Sequence, residues 1–202
     1  MEGNSLTESE TKVVLEDGLT VGGKPLRDHL EAVGHSKAYD FMYELVSSTN
    51  ITEADIKNLH ALFYQNIDEV NAGNYRKQRV FISGSGYPMP EPESVPELMA
   101  DFIIQVNQMK SNLHPVEFAA KFHKEFVYIH PFIDGNGRVA RLLMNLVLLQ
   151  SGYPIAIIPP ILRSEYIASL EKAHVKEEVF IQFIAERVIE AQKDYLRLLN
   201  VK

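Results

Sequence analysis

The chain contains no cysteine. That excludes disulfides, thiolate metal sites and a cysteine nucleophile. No apolar run approaches the roughly 20 residues that cross a bilayer. The closest, Leu142 to Leu149, is short and interrupted by Asn145. No charged-then-apolar leader with a small-residue cleavage site opens the sequence. The expectation from these absences is a cytoplasmic protein with no membrane partner. Positive charge is also scarce: the net charge is −7 at pH 7, and no Lys/Arg run interleaves with aromatics. Nucleic acid is therefore a poor match as a partner. An acidic chain that handles a polyphosphate has to build its positive field locally.

What is present suits one soluble domain. The chain has 202 residues, of which 46% are hydrophobic and 23% charged, enough for a single well-packed core. The dominant period is helical. Pro25 sits where a first-turn proline belongs, before a helix to about Val46. Thr52 followed by Glu53-Ala54-Asp55 reads as an N-cap with acidic first-turn residues, opening a helix to about Ile67. Ser94-Val95-Pro96-Glu97 has capping-box spacing and begins a helix to about Met109. Phe118, Phe122, Phe126 and Ile129 form one apolar stripe of a helix ending before His130. Val139 to Leu149 is apolar nearly all round, which places it among other helices. Helices over about 164–174 and 178–198 complete a mostly α, single-domain chain.

One stretch departs from this period. Arg79, Val80, Phe81 and Ile82 are followed by Gly84 and Gly86, and then by Pro88, Pro90 and Pro92. The β-prone run with glycines behind it predicts a short β-hairpin or extended flap over 76–90.

The chemistry concentrates at 130–141. Glycines allow positive φ, so Gly135-Asn136-Gly137 can turn successive N–H groups into one concavity. The helix that follows adds its free N–H groups and positive dipole end. Arg138 and Arg141 share a face of its first turn, where cations oppose the dipole unless an anion compensates. A polyphosphate would supply that anion through guanidinium contacts. Asp134, beside the cluster, suits Mg²⁺, which uses one or two carboxylates with phosphate oxygens and water. His130 can accept a proton from a hydroxyl near neutral pH. With no cysteine in the chain and no serine in the segment, that hydroxyl belongs to the substrate. The arrangement reads as a site for in-line attack on a nucleotide phosphate.

His130-Pro131-Phe132-Ile133-Asp134-Gly135-Asn136-Gly137-Arg138-Val139-Ala140-Arg141 resembles the Fic motif, His-Pro-Phe-x-Asp/Glu-Gly-Asn-Gly-Arg-x-x-Arg, at every fixed position. Flanking residues, such as 113–120 and 142–146, are similar too. The resemblance extends over nearly the whole chain. It is greatest to the subfamily that carries an N-terminal inhibitory motif and includes the animal endoplasmic-reticulum Fic enzyme.

That resemblance implies a single Fic domain over 1–202 that moves AMP from ATP to a Ser, Thr or Tyr hydroxyl of a target protein. It implies His130 as general base, Asp134 as Mg²⁺ ligand, and Gly135, Asn136 and Gly137 as the phosphate cradle, with Asn136 near the α-phosphate. Arg138 and Arg141 would grip the β- and γ-phosphates, Phe132 would anchor the loop in the core, and Tyr166 would lie beside the adenine. Arg79, Val80, Phe81 and Ile82 would form the flap that docks the target by strand addition. His174 stands where relatives often have Asn. Gly135, where the related Doc toxins have Lys, favours nucleotidyl over phosphoryl transfer. The target could be the chain itself, and a homodimer would match many relatives.

Residues 1–7 resemble the end of the inhibitory motif, Ser/Thr-x-x-x-Glu-Gly/Asn, with Glu2 as its carboxylate. In such proteins this Glu pairs with the second motif arginine, here Arg141. The Ser/Thr would fall before Met1, so the expectation is a form partly or wholly released from autoinhibition. The same Glu implies a competing reading, removal of AMP from a modified target. Transfer of another phosphate-linked group is a second alternative, and an ATP sensor without catalysis is a third, from a different class. Bland readings apply elsewhere. His29, His35, His60 and His114 are expected at the surface or as caps, His123 as structural, and the Phe118–Phe122–Phe126 stripe as core.

Overall fold

Phe118, Phe122 and Phe126 form the centre of the molecule, each at most 2% exposed. A computed structural model describes residues 4–48, 50–82 and 85–200, the side chain of residue 107 excepted. Eight α-helices occur among the described residues: α1 (Glu8–Glu16), α2 (Leu26–Glu44), α3 (Glu53–Tyr64), α4 (Val95–Asn112), α5 (Pro115–Ile129), α6 (Asn136–Gln150), α7 (Arg163–Lys172) and α8 (Glu178–Leu198). Of these, α5 and α6 are the central pair, joined by the short loop 130–135. α8 and α4 pack on α5, and α2 and α3 pack on α6. No described helix is long and apolar enough to cross a membrane.

Local sequence accounts for most boundaries. Thr52 closes a reciprocal capping box with Asp55, which satisfies the first N–H groups of α3. His114 caps α5 by accepting from the Val116 N–H. The capping-box spacing at Ser94 does not produce a box. A 3-10 turn over Pro92–Ser94 runs straight into α4, so Ser94 already has helical dihedrals and its hydroxyl donates back to the Glu91 carbonyl. The first helix, α1, had no counterpart among the expected elements. It is nine residues long, carries its own capping box at Thr7 and Glu10, and buries only Val14.

The crossing of α2 and α3 is close. A Cβ built on Gly34 would sit 2.5 Å from the Phe63 carbonyl oxygen, so only glycine lets the two backbones approach this far.

The flap expectation requires correction. Among the described residues there is no strand, and 79–82 run as irregular chain. A hairpin needs a ladder of main-chain bonds, and Pro88 and Pro90 cannot donate to one. The base of this segment is tied instead by side chains, as the site shows, while Phe81 stands 90% exposed. Residues 83 and 84 lie outside the described residues.

Candidate active site

His130 ends α5 in the left-handed region, at φ 50° and ψ 57°. For a residue with a Cβ this costs on the order of 1 kcal/mol, so the surroundings must hold it there. Its N–H reaches the Phe126 carbonyl at 3.1 Å. Its Nδ1 lies 3.1 Å from the Val127 carbonyl oxygen. A carbonyl only accepts, so Nδ1 carries the proton and Nε2 is the basic nitrogen.

The loop that follows is closed by one side chain. Asn136 accepts from the Phe132 N–H at 2.9 Å and donates to the Phe132 carbonyl at 2.8 Å, both bonds buried. Its amide is therefore committed to the loop. What Asn136 can offer a phosphate is its backbone N–H, which with that of Gly137 begins α6 without an intrahelical acceptor. Gly135, at φ 77°, makes the turn into the helix, and a Cβ there would meet Phe63 at 3.3 Å and His60 at 3.5 Å.

His60 supports the loop from below. Fully buried rather than at the surface, it stacks on Phe132 with ring centroids 3.8 Å apart. The Gly73 N–H donates to its Nδ1 at 2.9 Å, so Nε2–H donates to the Asp134 carbonyl at 3.1 Å. Burial pushes its pKa down to about 4, which keeps it the neutral tautomer that this pair of bonds requires.

The charged residues form a closed ring. Arg27 on α2 bonds Asp134 Oδ2 at 2.9 Å and Glu31 Oε1 at 3.1 Å. Glu31 Oε2 lies 3.2 Å from Arg138, and Arg138 lies 3.6 Å from Asp134 Oδ1. Glu31 and Arg138 are buried, with the Arg138 guanidinium 4.0 Å from the centroid of Phe63. The hydrogen bond to Glu31 raises the Arg27 pKa above its ordinary value. Neither Arg27 nor Glu31 figured in the sequence reading. Their i,i+4 spacing was visible, but not their reach to a loop more than 100 residues away.

Two neighbouring cavities share lining residues beside the loop. One, of about 350 Å³, is bordered by His130, Asp134, Gly135–Gly137 and the flap residues Ile82 and Ser85. The other, of about 170 Å³, is bordered by Arg138, Arg141, His35 and Pro159. Arg163 and Tyr166 line both. Arg163, the third arginine of the cleft, was also missed by the sequence reading. It lies outside the motif, where nothing in its spacing marks it.

Tyr166 is only 7% exposed, and its hydroxyl meets His123 Nε2 at 3.0 Å. Little of its ring remains for a ligand. The Arg141 guanidinium lies 6.0 Å from that ring. His123 is buried as expected of a structural histidine, and desolvation holds its pKa at about 3, with Arg141 adding to the effect. His174 stacks on Tyr87 at 3.7 Å and so closes the rim where the flap returns. The Gly86 N–H joins the same contact through Glu171 at 3.2 Å.

The expected metal ligand is a single carboxylate. Among the described residues no group of three or more His, Cys, Asp or Glu side chains is placed to hold an ion. A half-exposed Asp134 fits Mg²⁺ only in company with nucleotide phosphates and water. Glu2 lies outside the described residues. The chain just after it is anchored: Asn4 donates to the Asp28 carbonyl at 2.9 Å and to Glu31 at 3.3 Å, and the Ser5 N–H donates to Asp28 at 2.7 Å.

A helical domain whose central pair of helices presents an anion-receiving loop, a histidine and a cluster of arginines is thus defined by fold and site. Residues 50–148 match the model of the Fic/DOC family. The chain is 40% identical over 189 residues to a protein adenylyltransferase Fic of Drosophila grimshawi. It spans 39% of that relative's length. Its fold is similar to that of C. elegans Fic-1 (residues 134–508), with a TM-score of 0.91 and 35% identity over 98% of this chain and 60% of that one. A Fic domain containing signaling protein from Bacteroides thetaiotaomicron gives 0.87 and 29% over 94% and 79%. The chain belongs to the Fic family.

Proposed function

We propose that the chain is a protein adenylyltransferase that moves AMP from ATP to a hydroxyl of a target protein. The observation that carries this reading is His130, whose Nδ1–H on the Val127 carbonyl makes Nε2 the basic nitrogen, in a cleft that also holds the helix N-terminus. A hydroxyl oxygen attacks the α-phosphorus while Nε2 takes its proton. The bond to the bridging oxygen breaks, and pyrophosphate leaves. The N–H groups of Asn136 and Gly137 receive phosphate oxygens, and Arg138 and Arg141 neutralise the leaving group. Mg²⁺, bound through Asp134 and the phosphates, would supply further charge neutralisation there. The exposed main chain at Arg79–Ile82 is the surface on which an extended target segment would add.

Intact mass after incubation with ATP and Mg²⁺ tests the reaction. The expected result is addition of AMP to the chain or to an added acceptor, falling about 10²- to 10⁴-fold in His130→Ala. ATP binding without transfer by the wild type would overturn it in favour of a sensor. Gain of a different phosphate-linked mass would redirect it to another group.

Glu2 is proposed as the inhibitory carboxylate acting on Arg141. Support comes from the family resemblance and from Asn4, two residues on, bonded to Glu31 beside Arg138. In the same assay Glu2→Gly is expected to raise transfer. Equal rates would remove Glu2 from the scheme, and faster removal of AMP by the wild type would favour the reverse reaction.

A further inference from the structure

Arg76 lies outside the loop, the cleft lining and the 130–141 segment, at the first position of the expected flap, and it is one of the few buried charged residues, at 3% exposure. Its guanidinium meets main-chain carbonyls at three points. Nε donates to the His130 carbonyl at 2.7 Å, Nη1 to Gln78 at 3.2 Å and Nη2 to Pro90 at 2.6 Å. Its own N–H donates to the Pro131 carbonyl at 2.9 Å. Gln78 and Pro90 are the two ends of the flap segment. One side chain therefore spans both ends of the flap and the backbone of the histidine.

Such a set is specific to guanidinium. It is planar and rigid and presents its donors in fixed directions, whereas an ammonium is a point charge. Burying a cation against neutral acceptors is costly unless those acceptors are well placed. Among its described residues the flap shows no ladder of main-chain bonds, and side-chain bonds such as these hold its ends. His130 is held in the left-handed region, so its carbonyl direction also has to be fixed from outside α5.

We propose that Arg76 is a positioning residue that sets the flap and His130 in one register, so that a segment docked on the flap meets the histidine at a fixed distance. The use of this register rests on the adenylyltransferase reading; the coupling itself does not. Arg76 supports only one side of the cleft. The phosphate loop has separate braces, the Asn136 amide and the His60 ring. Loss of Arg76 should therefore loosen the flap and the histidine together and leave the nucleotide cradle in place.

The test uses the full chain, comparing wild type with Arg76→Lys, which keeps the charge and can reach about one of the three carbonyls, and with Arg76→Met. Amide hydrogen exchange over 78–90 and 130–132 is expected to rise together, by about tenfold or more. The His130 imidazole signals in NMR are expected to shift or broaden. ATP–Mg²⁺ affinity by calorimetry should stay within about threefold, since the cradle contacts are untouched. Faster exchange in the flap alone, with unchanged His130 signals, would overturn the proposal. So would loss of nucleotide affinity in step with exchange, or failure of Arg76→Lys to fold, because either makes Arg76 a general structural support. A wild type that never transfers AMP would sink the functional reading while leaving the measured coupling intact.

Discussion

Asp134 shows how much of a residue's role is decided by neighbours far away in sequence. Its Oδ1 takes the Gly135 N–H at 2.7 Å and its Oδ2 takes Arg27. A divalent ion arriving with a nucleotide must exchange with that arginine, so Arg27 acts as a competing cation at the proposed metal ligand. With both side chains about half exposed, the pair contributes less than about 1 kcal/mol. Arg27→Gln is therefore expected to lower the Mg²⁺ concentration for half-maximal ATP binding by up to about fivefold. A magnesium titration at fixed ATP checks this, and an unchanged or higher requirement would remove Arg27 from the competition. The motif itself was legible because its parts lie within twelve consecutive residues. His60, Arg76, Glu31 and Arg27 were not, because each acts on that segment from 54 to 107 positions away, and such pairings leave no mark in local spacing.

Among the elements, helices were the readable part. The Phe118–Phe126 stripe, the Thr52 cap and the bounds 178–198 of α8 all follow from period and capping chemistry. The missed helix α1 has one buried residue, too little for an apolar stripe to register. The flap misled because β propensity describes side chains that fit a pleated surface, and among the described residues no strand lies beside Val80-Phe81-Ile82. The crossing of α2 and α3 gives a sharper expectation. Gly34→Ala should cost about 1–3 kcal/mol, since backbone carbonyls, unlike side-chain tips, cannot step aside. Chemical denaturation measures it, and a cost near zero would mean that the helices separate freely. As α2 carries Arg27 and Glu31, the same change should also perturb the charged ring.

For the molecule as a whole, the buried imidazoles of His60 and His123 and the partly buried one of His35 make folding sensitive to mild acid. Burial lowers the pKa of His35 and His60 to about 4, and that of His123 to about 3. The unfolded chain binds these protons near pH 6.5, so it holds more protons than the native state below that value. Stability is then full above about pH 6.5 and falls as pH drops toward 4. Each histidine should cost on the order of 1–2 kcal/mol by pH 5. Urea unfolding at pH 7 and pH 5 tests the sum, and His60→Gln should flatten part of the slope. A midpoint that rises on acidification would contradict it. The net charge of −7 has the opposite sign to the cluster in the cleft, so the local field there is built against the molecule's overall charge.

The Asn136–Phe132 closure also bears on the order of folding. Its two bonds join residues four apart, between helices that are neighbours in sequence. A loop this short costs little chain entropy to close, so α5, the loop and α6 can associate before any distant segment arrives. Arg76, His60 and the α2 carboxylate come from earlier parts of the chain and are expected to dock onto that hairpin once it has formed. Substitutions inside that hairpin should then slow refolding, whereas those at Arg76 or Glu31 should mainly speed unfolding.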